Sequence, residues 1–530
     1  MASDREKIAA AVSVQKFYDT PPARAAKVVL VRPPIVSTLN AFNNEATPAI
    51  GLAYIAGHIK GCGHDCEIVD AIAEGLNRRW PVESFPGYQC QGLTFAEILD
   101  RIPADPDIIG LSFMFSGEWP VGRALALAIR ERFPKALIIA GGEHITALSE
   151  FSLRDCPALD LCVCGEGEYR MSEIIDAHLA GRGFADIDGV AFIDPDGIFH
   201  RTSGLPRIRD VDNIAWPYWP EGYLEKFWSA GKSYGVQTLR DMPMMVSRGC
   251  PFRCTFCSSS QMWSTRYTLR DVDDVIAEIK TYMERYQITA VQLYDLTAIT
   301  KKTWAVEFCT KLLAENIKLN WSLPSGTRSE ALDEETLTLL KQTGLNYLVY
   351  APESGSERTL KAIRKQISLP ELSASAMTAK RLGLIIRTNL IIGFPEERRS
   401  DIFRTIIYGL GLAVRGADEV SINIFSPYPG TEIFAELMAQ NRIALNDDYF
   451  LALTSLNSDY SAIRPMTVNR FMGARELSLY RIGFMLLNYI VGYILYPRRI
   501  VRTLRNLFGT GRAATVLEHR LKDKFRSKKA

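Results

Sequence analysis

Cys250-Pro-Phe-Arg-Cys254-Thr-Phe-Cys257 follows directly on an apolar stretch, Met242 to Val246. Three thiolates at such short spacing favour an iron–sulfur cluster or zinc. A cubane with three protein ligands keeps one iron open for something else to bind. A structural zinc site wants a fourth Cys or His nearby, and neither follows within thirty residues. A zinc knuckle and three buried thiols remain the alternatives at this point.

Working outward, the stretch sits at the head of a repeating pattern from about Met242 to Gln440. Strand candidates recur at Met242–Ser247, Ala290–Tyr294, Lys318–Leu323, Tyr347–Tyr350, Ile385–Ile392 and Glu419–Ile424. Amphipathic helices fall between them, at Val272–Tyr286, Thr303–Asn316, Glu334–Thr343, Pro370–Leu382 and Asp401–Val414. That is a (βα)6 array, which leaves a barrel partly open. In barrels of this kind catalytic groups come from the carboxyl ends of strands, where the cysteines fall.

Upstream, short β-branched strands alternate with helices: Lys27–Arg32, Glu67–Val69, Ile108–Phe113, Ala136–Ala140 and Leu159–Val163, with helices at Ile50–Lys60, Val121–Arg132 and Met171–Ala180. The alternation predicts a doubly wound parallel sheet, which binds ligands beyond the carboxyl ends of its strands. Gly189–His200 reads as a small hairpin turning at Asp196-Gly197. The expected organisation is a leader over 1–26, a first domain over 27–200, a Pro/Trp-rich linker over 201–241, the barrel over 242–440 and a helical region over 441–530.

The cysteine spacing, with the aromatic Phe256 before the last cysteine, resembles the radical S-adenosylmethionine (SAM) superfamily, whose partial barrel the six units match. The resemblance implies a 4Fe–4S cluster on Cys250, Cys254 and Cys257, with the open iron chelating SAM. It also places Phe256 beside adenine, its alternative being core packing. The family's Gly-Gly-Glu after the second strand is replaced by Tyr294-Asp295-Leu296, which makes Asp295 the candidate for the SAM ammonium. Arg328, in Ser325-Gly-Thr-Arg328, is placed to reach a carboxylate with its forked donors; a surface arginine is the plainer reading. Pro352-Glu353-Ser354-Gly355 is similar to the family's turn near the ribose. Gly393-Phe-Pro-Glu396 is similar to its turn under adenine, where glycine permits close approach. Pro427-Tyr-Pro429-Gly430-Thr431 is a further such turn. Gly and Pro are common in any turn before a helix; the order, one motif per strand end, is what makes the set specific.

A parallel domain ahead of such a barrel resembles the cobalamin-binding branch of the superfamily. The matching residues are Gly141-Gly142-Glu-His144-Ile-Thr146 and Gly165-Glu166-Gly167-Glu168. The resemblance implies that these loops cradle the nucleotide tail and corrin amides, with Ser112-Phe-Met114 near the corrin face. An Asp-x-His-x-x-Gly motif for cobalt is absent, so His144 is expected at the nucleotide tail or capping a turn. Without Gly-x-Gly-x-x-Gly after the first strand, a nicotinamide dinucleotide is not the expected ligand.

A chain of 530 residues is long enough for two to four domains and a large core. Its composition, 47% hydrophobic and 23% charged, is that of a globular protein. The formal charge of +2 hides an asymmetry: Pro497 to Ala530 carries eleven Lys/Arg against two Asp/Glu. The rest is net acidic, which argues against nucleic-acid binding by the body. Ten cysteines in this length make no disulfide scaffold, and Met1 to Gln15 lacks the apolar core of a secretory signal. A reducing cytosol is expected, with Cys62, Cys66, Cys90, Cys156, Cys162, Cys164 and Cys309 as buried or incidental thiols.

The expected activity is that of a cobalamin-dependent radical SAM enzyme, a methyltransferase acting on an unactivated carbon. One SAM would methylate the corrin, and a second would supply the 5′-deoxyadenosyl radical that takes hydrogen from the substrate. A radical cyclase or rearrangement enzyme is the second reading. A non-catalytic cobalamin or redox sensor is the third, though it would not need a full set of SAM turns. The protein's own part is to position substrate and exclude water. An electron donor such as flavodoxin or ferredoxin is implied, and a small or lipid-like substrate. Ile482–Tyr496 is shorter than the roughly twenty residues that span a bilayer. It reads as a buried helix or, with Arg498, Arg499, Arg502 and Arg505, as a peripheral contact with anionic lipid.

Overall fold

The computed structural model describes residues 22, 24–41, 46–204, 207–232, 239–454, 466–508, 515, 518 and 521–522. Most of the expected leader, and the end of the basic tail, lie outside them. The chain divides into two compact units: Met1–Val36, Pro48–Trp80 and Cys90–Lys226 in one, Ser37–Thr47, Pro81–Gln89 and Phe227–Ala530 in the other.

The first unit is built on seven strands: β1 Lys27–Arg32, β2 Asp65–Asp70, β3 Ile108–Ser112, β4 Leu137–Gly141, β5 Leu161–Val163, β6 Val190–Ile193 and β7 Phe199–Arg201. Their spatial order is β7-β6-β5-β4-β3-β1-β2. β1 to β5 are parallel and β6–β7 is an antiparallel hairpin on the edge. Strand β1, between β3 and β2, has the run Val28-Val29-Leu30-Val31, all buried, as in a strand covered by helices on both faces. Leu30, Ile139 and Leu161 pack with Leu52 and Ile59 of helix α1 (Ile50–Gly61) and with Ile174. The chain passes from β2 back across β1 to β3, so the order reverses between β1 and β3, and a ligand crevice opens at such a switch point.

The second unit holds six parallel strands in sequential order: β8 Asp241–Met244, β9 Ala290–Leu293, β10 Asn320–Thr327, β11 Leu345–Glu353, β12 Ile385–Ile392 and β13 Glu419–Ile424. Among the described residues β13 does not pair with β8, so the barrel stays open. β12 alternates: Ile386, Thr388, Leu390 and Ile392 are buried, while Ile385, Arg387, Asn389 and Ile391 are half-buried. Leu390 and Ile392 pack with helix α10 (Arg399–Val414) and with Phe484 of helix α11 (Ala474–Leu495).

Three expectations differ from the observed elements. The first barrel strand ends at Met244 instead of running to Ser247, because the Val246 and Ser247 amides turn to the Asp295 carboxylate. Residues 143–146 form the first turn of a helix, Glu143–Asp155, rather than a loop. The expected apolar run 482–496 belongs to a 22-residue helix, the described helix that is long and apolar enough by composition to cross a membrane.

Candidate active site

The three cysteines lie on a loop beyond β8 whose base is closed by pairing of Ser247–Arg248 with Thr268–Leu269. All three are half-buried and none is in a disulfide. The loop is pinned at Thr255, next to Cys254: the Thr255 amide donates to the Ile363 carbonyl, 3.1 Å, and the Ile433 amide to the Thr255 carbonyl, 3.2 Å. Burial raises the Cys254 thiol above its usual range, while Lys365 and Arg328 pull toward thiolate. Three soft donors outside any disulfide on a pinned loop, with Lys365 and Arg328 acting on Cys254, fit a larger thiolate-held cluster.

Asp295 closes the first two strand ends. Its carboxylate accepts from the Val246 amide at 3.0 Å, the Ser247 amide at 2.5 Å and the Ser247 hydroxyl at 2.6 Å. It is 1% exposed, and burial pushes its carboxyl up to about 6. Asp295 therefore holds the root of the cysteine loop. Arg328 is likewise engaged. Its guanidinium stacks 3.5 Å over Phe252, pairs with Glu330 and donates to the Gln366 carbonyl. It clamps the cysteine loop instead of standing open to a carboxylate.

At the end of β11, Glu353 takes a positive φ of 66° and pairs with Lys365, Nζ to Oε1 3.0 Å. Ser354 is fully buried; its hydroxyl bonds the Thr405 hydroxyl, 2.9 Å, and accepts from the Ser356 amide. These contacts shape the Glu-Ser-Gly turn from behind. At the end of β12, Gly393 has φ 89° and a Cβ there would press on Leu477. The turn is held by Glu397, whose carboxylate accepts from the Gly393 amide at 2.5 Å and the Phe394 amide at 3.3 Å. Burial pushes Glu397 up to about 7. The ring of Phe256 meets Phe394 edge-on, centroids 5.7 Å apart, so the cysteine loop and this turn share an aromatic contact. Lys365 and Glu397 were not singled out in the sequence. The second is one residue from Glu396, and only the turn decides which glutamate points inward.

In the first unit, the carboxyl edge of the sheet gathers Ser112, Gly141, Gly142 and the 165–168 turn. Met114 and Phe115, just past β3, are 49% and 56% exposed. Large apolar side chains left open at a switch point fit the flat apolar face of a corrin. Gly142 has φ 108° and ψ −178°, and a Cβ there would collide with the Phe113 carbonyl. The Thr146 hydroxyl accepts from the Gly165 amide, 3.0 Å, tying two loops together. Glu166 is turned inward, where Arg207 and the Ile208 amide hold it, and Gly167 leads into a helix that begins at the buried Glu168.

His144 does not reach this edge. It is 1% exposed, stacks on Trp119 and bonds the Ser116 and Ser152 hydroxyls through its two ring nitrogens, 3.0 and 3.3 Å. Burial drives its pKa down to about 3, so it is a neutral strut under the Phe113–Trp119 segment. Within that segment the half-buried Glu118 is pushed up to about 8 by desolvation, opposed by Arg32.

Residues 244–407 match the radical SAM superfamily and residues 43–175 match the B12 binding domain. The chain is 28% identical over 479 residues to an uncharacterized methyltransferase, PH0819, of Pyrococcus horikoshii, covering 90% of this chain and 94% of that one. It is 26% identical to the anaerobic magnesium-protoporphyrin IX monomethyl ester cyclase of Rubrivivax gelatinosus, over 74% of this chain and 66% of that one. The solved structure of the radical SAM methyltransferase TsrM from Kitasatospora setae, with cobalamin and a [4Fe–4S] cluster bound, shares the fold. Its TM-score is 0.65 at 14% identity, with 96% of this chain and all of that one covered. With a half-buried three-thiol loop at the head of one unit and an open apolar sheet edge in the other, the chain belongs to the cobalamin-dependent radical SAM enzymes.

Proposed function

We propose that this enzyme transfers a methyl group to an unactivated carbon of a small-molecule substrate. The observation that carries the reading is the pairing, in one chain, of a pinned three-thiol loop with a sheet edge that leaves Met114 and Phe115 open. When bound, the cluster and SAM supply a hydrogen-abstracting radical and cobalamin supplies a methyl carrier.

The chain's own residues hold, orient and exclude. Residues 27–200 carry the corrin and residues 242–440 the SAM chemistry. Cys250, Cys254 and Cys257 hold the cluster. Arg328 and Asp295 keep their loop in place, through Phe252 and through the Val246 and Ser247 amides. Lys365 sets positive charge beside Cys254. Glu353, Ser354 and the Gly393 turn present backbone to the nucleoside, with Phe256 against adenine. Gly142, Gly165 and Gly167 let the corrin's tail approach the first unit. A low-potential flavodoxin or ferredoxin delivers the electron, and the C-terminal helices make a peripheral lipid contact.

The similarity to a cyclase favours one other reading, a radical reaction without net methyl transfer. Anaerobic reconstitution with SAM carrying a trideuterated methyl group separates the two. Methyl transfer gives a product carrying the labelled methyl. A product without label, formed together with 5′-deoxyadenosine, would replace it with the cyclase reading. Protein that takes up zinc, or no iron, on reconstitution would end both.

A further inference from the structure

We infer that α11, helix α12 (Arg498–Phe508) and the outer face of α10 together form a surface that lies against an anionic phospholipid bilayer. The inference deepens the peripheral contact proposed above and rests on it, not on the reaction.

α11 has two unlike faces. Leu477, Arg481, Phe484 and Asn488 are buried on the side that packs on the barrel. On the other, Leu479, Ile482, Leu486, Ile490 and Ile494 recur at steps of three or four residues, and Leu479 and Ile494 are 70% and 71% exposed. A helix on a water-facing surface shows polar residues on that side. α10 continues the pattern with Phe403, Ile407 and Val414, all exposed, and the Phe403 ring meets Tyr480 of α11 at 5.6 Å. The two stripes therefore adjoin. α12 adds Val501, Leu504 and Phe508, the last 74% exposed. Single exposed apolar side chains need no explanation, but stripes shared by three helices do.

Charge identifies what covers them. Residues 474–508 contain six arginines and one acidic residue, Glu476, and Glu476 is paired with Arg399 at 2.6 Å. α12 has no acidic residue, and its Arg498 and Arg505 are exposed beside the apolar stripe. Two copies of this face would bring like charges together, which disfavours a dimer. An anionic headgroup layer satisfies both the guanidinium groups and the aliphatic stripe. The helix lies on the bilayer and does not cross it, because Arg481, 1% exposed, and Asn488 sit on the side already buried in the protein.

The test uses the full-length protein and vesicles of phosphatidylcholine with or without phosphatidylglycerol. Co-sedimentation is expected with the anionic vesicles at low salt and is lost at high salt. Arg498→Ala and Arg505→Ala should each weaken it by about five-fold. Ile494→Glu with Val501→Glu should abolish it without moving the thermal unfolding transition. No sedimentation with anionic vesicles at low salt overturns the inference. So does equal binding to both vesicle types, or a dimer in sedimentation velocity that Ile494→Glu dissociates. The measurement needs no cofactor, so its failure leaves the methyl-transfer reading standing, and failure of that reading leaves this one.

Discussion

Lys365 Nζ lies 3.0 Å from Glu353 Oε1, with side-chain exposures of 10% and 9%. Burial works against the lysine's charge, and Glu353 and Cys254 more than offset it. The ion pair thus stands between the end of β11 and the cysteine loop. Removing one partner of a buried pair leaves an uncompensated charge, at about 3–5 kcal/mol. Lys365→Met should lose stability on that scale in anaerobic denaturant titrations. It should also shift the cluster's midpoint potential downward, read by EPR-monitored titration. Lys365→Arg should recover much of both; an unchanged potential in Lys365→Met would separate the pair from the cluster.

Cys254 sits on a constrained backbone, because the amide and carbonyl of its neighbour Thr255 are both hydrogen-bonded. Cys254→Ala should bind little iron on reconstitution and form no 5′-deoxyadenosine. Its far-ultraviolet circular dichroism should stay that of the parent, since the cysteine loop contributes little regular structure.

Gly142 occupies a backbone region that only glycine tolerates, and a Cβ would strike the Phe113 carbonyl as well. Strain of this kind is worth about 1–3 kcal/mol before the collision is counted. Gly142→Ala should lower the unfolding midpoint and reduce cobalamin retained after gel filtration. Gly183→Ala, where the added carbon meets nothing within 4 Å, serves as the control and should change neither.

The strands at Ile385–Ile392 and Glu419–Ile424 were legible to the residue, because each is a β-branched run bounded by Gly, Pro or polar turn residues. The glycine at 142 was legible as a turn residue for the same local reason. What local pattern could not carry was the destination of long polar side chains. Arg328 reads as an open cation until Glu330, Phe252 and Gln366 converge on it, the last from 38 residues away. Asp295 reads as a ligand-facing acid at a strand end, yet its partners lie 48 and 49 residues earlier. His144 sits in a motif that the family resemblance assigns to a ligand, but Trp119, Ser116 and Ser152 enclose it. Its polar atoms find partners inside the fold, which no spacing rule encodes.

Glu118 gives the first unit a distinct pH response. Its carboxyl titrates at about 8 when folded, against an ordinary value near 4.5, because burial disfavours the anion more than Arg32 and the Val36 amide favour it. The folded chain holds a proton that the unfolded chain has released. The associated stability is fully present below the ordinary value and is lost as pH rises through about 8. Stability, followed through the thermal midpoint, should fall from about pH 5 to about pH 8 at up to about 1.4 kcal/mol per pH unit, and level off above that. Glu118→Gln should flatten that slope; a parallel slope in the variant would remove Glu118 as its source.

Asp295 offers a decision between two roles for one carboxylate. If it anchors the root of the cysteine loop, then Asp295→Asn turns an amide NH2 toward the Val246 and Ser247 donors. A buried donor left facing donors costs about 1–3 kcal/mol. The loop would then open more often: iron should leave faster under chelator challenge and protease should cut sooner within residues 246–258. SAM affinity, measured on the fraction that still carries a full cluster, should stay near that of the parent. If the carboxylate instead met the SAM ammonium, the loss would fall on SAM affinity, with iron retention and protease resistance unchanged. The three hydrogen bonds of 2.5 to 3.0 Å on Oδ1, with the Val246 amide also 3.1 Å from Oδ2, predict the first outcome.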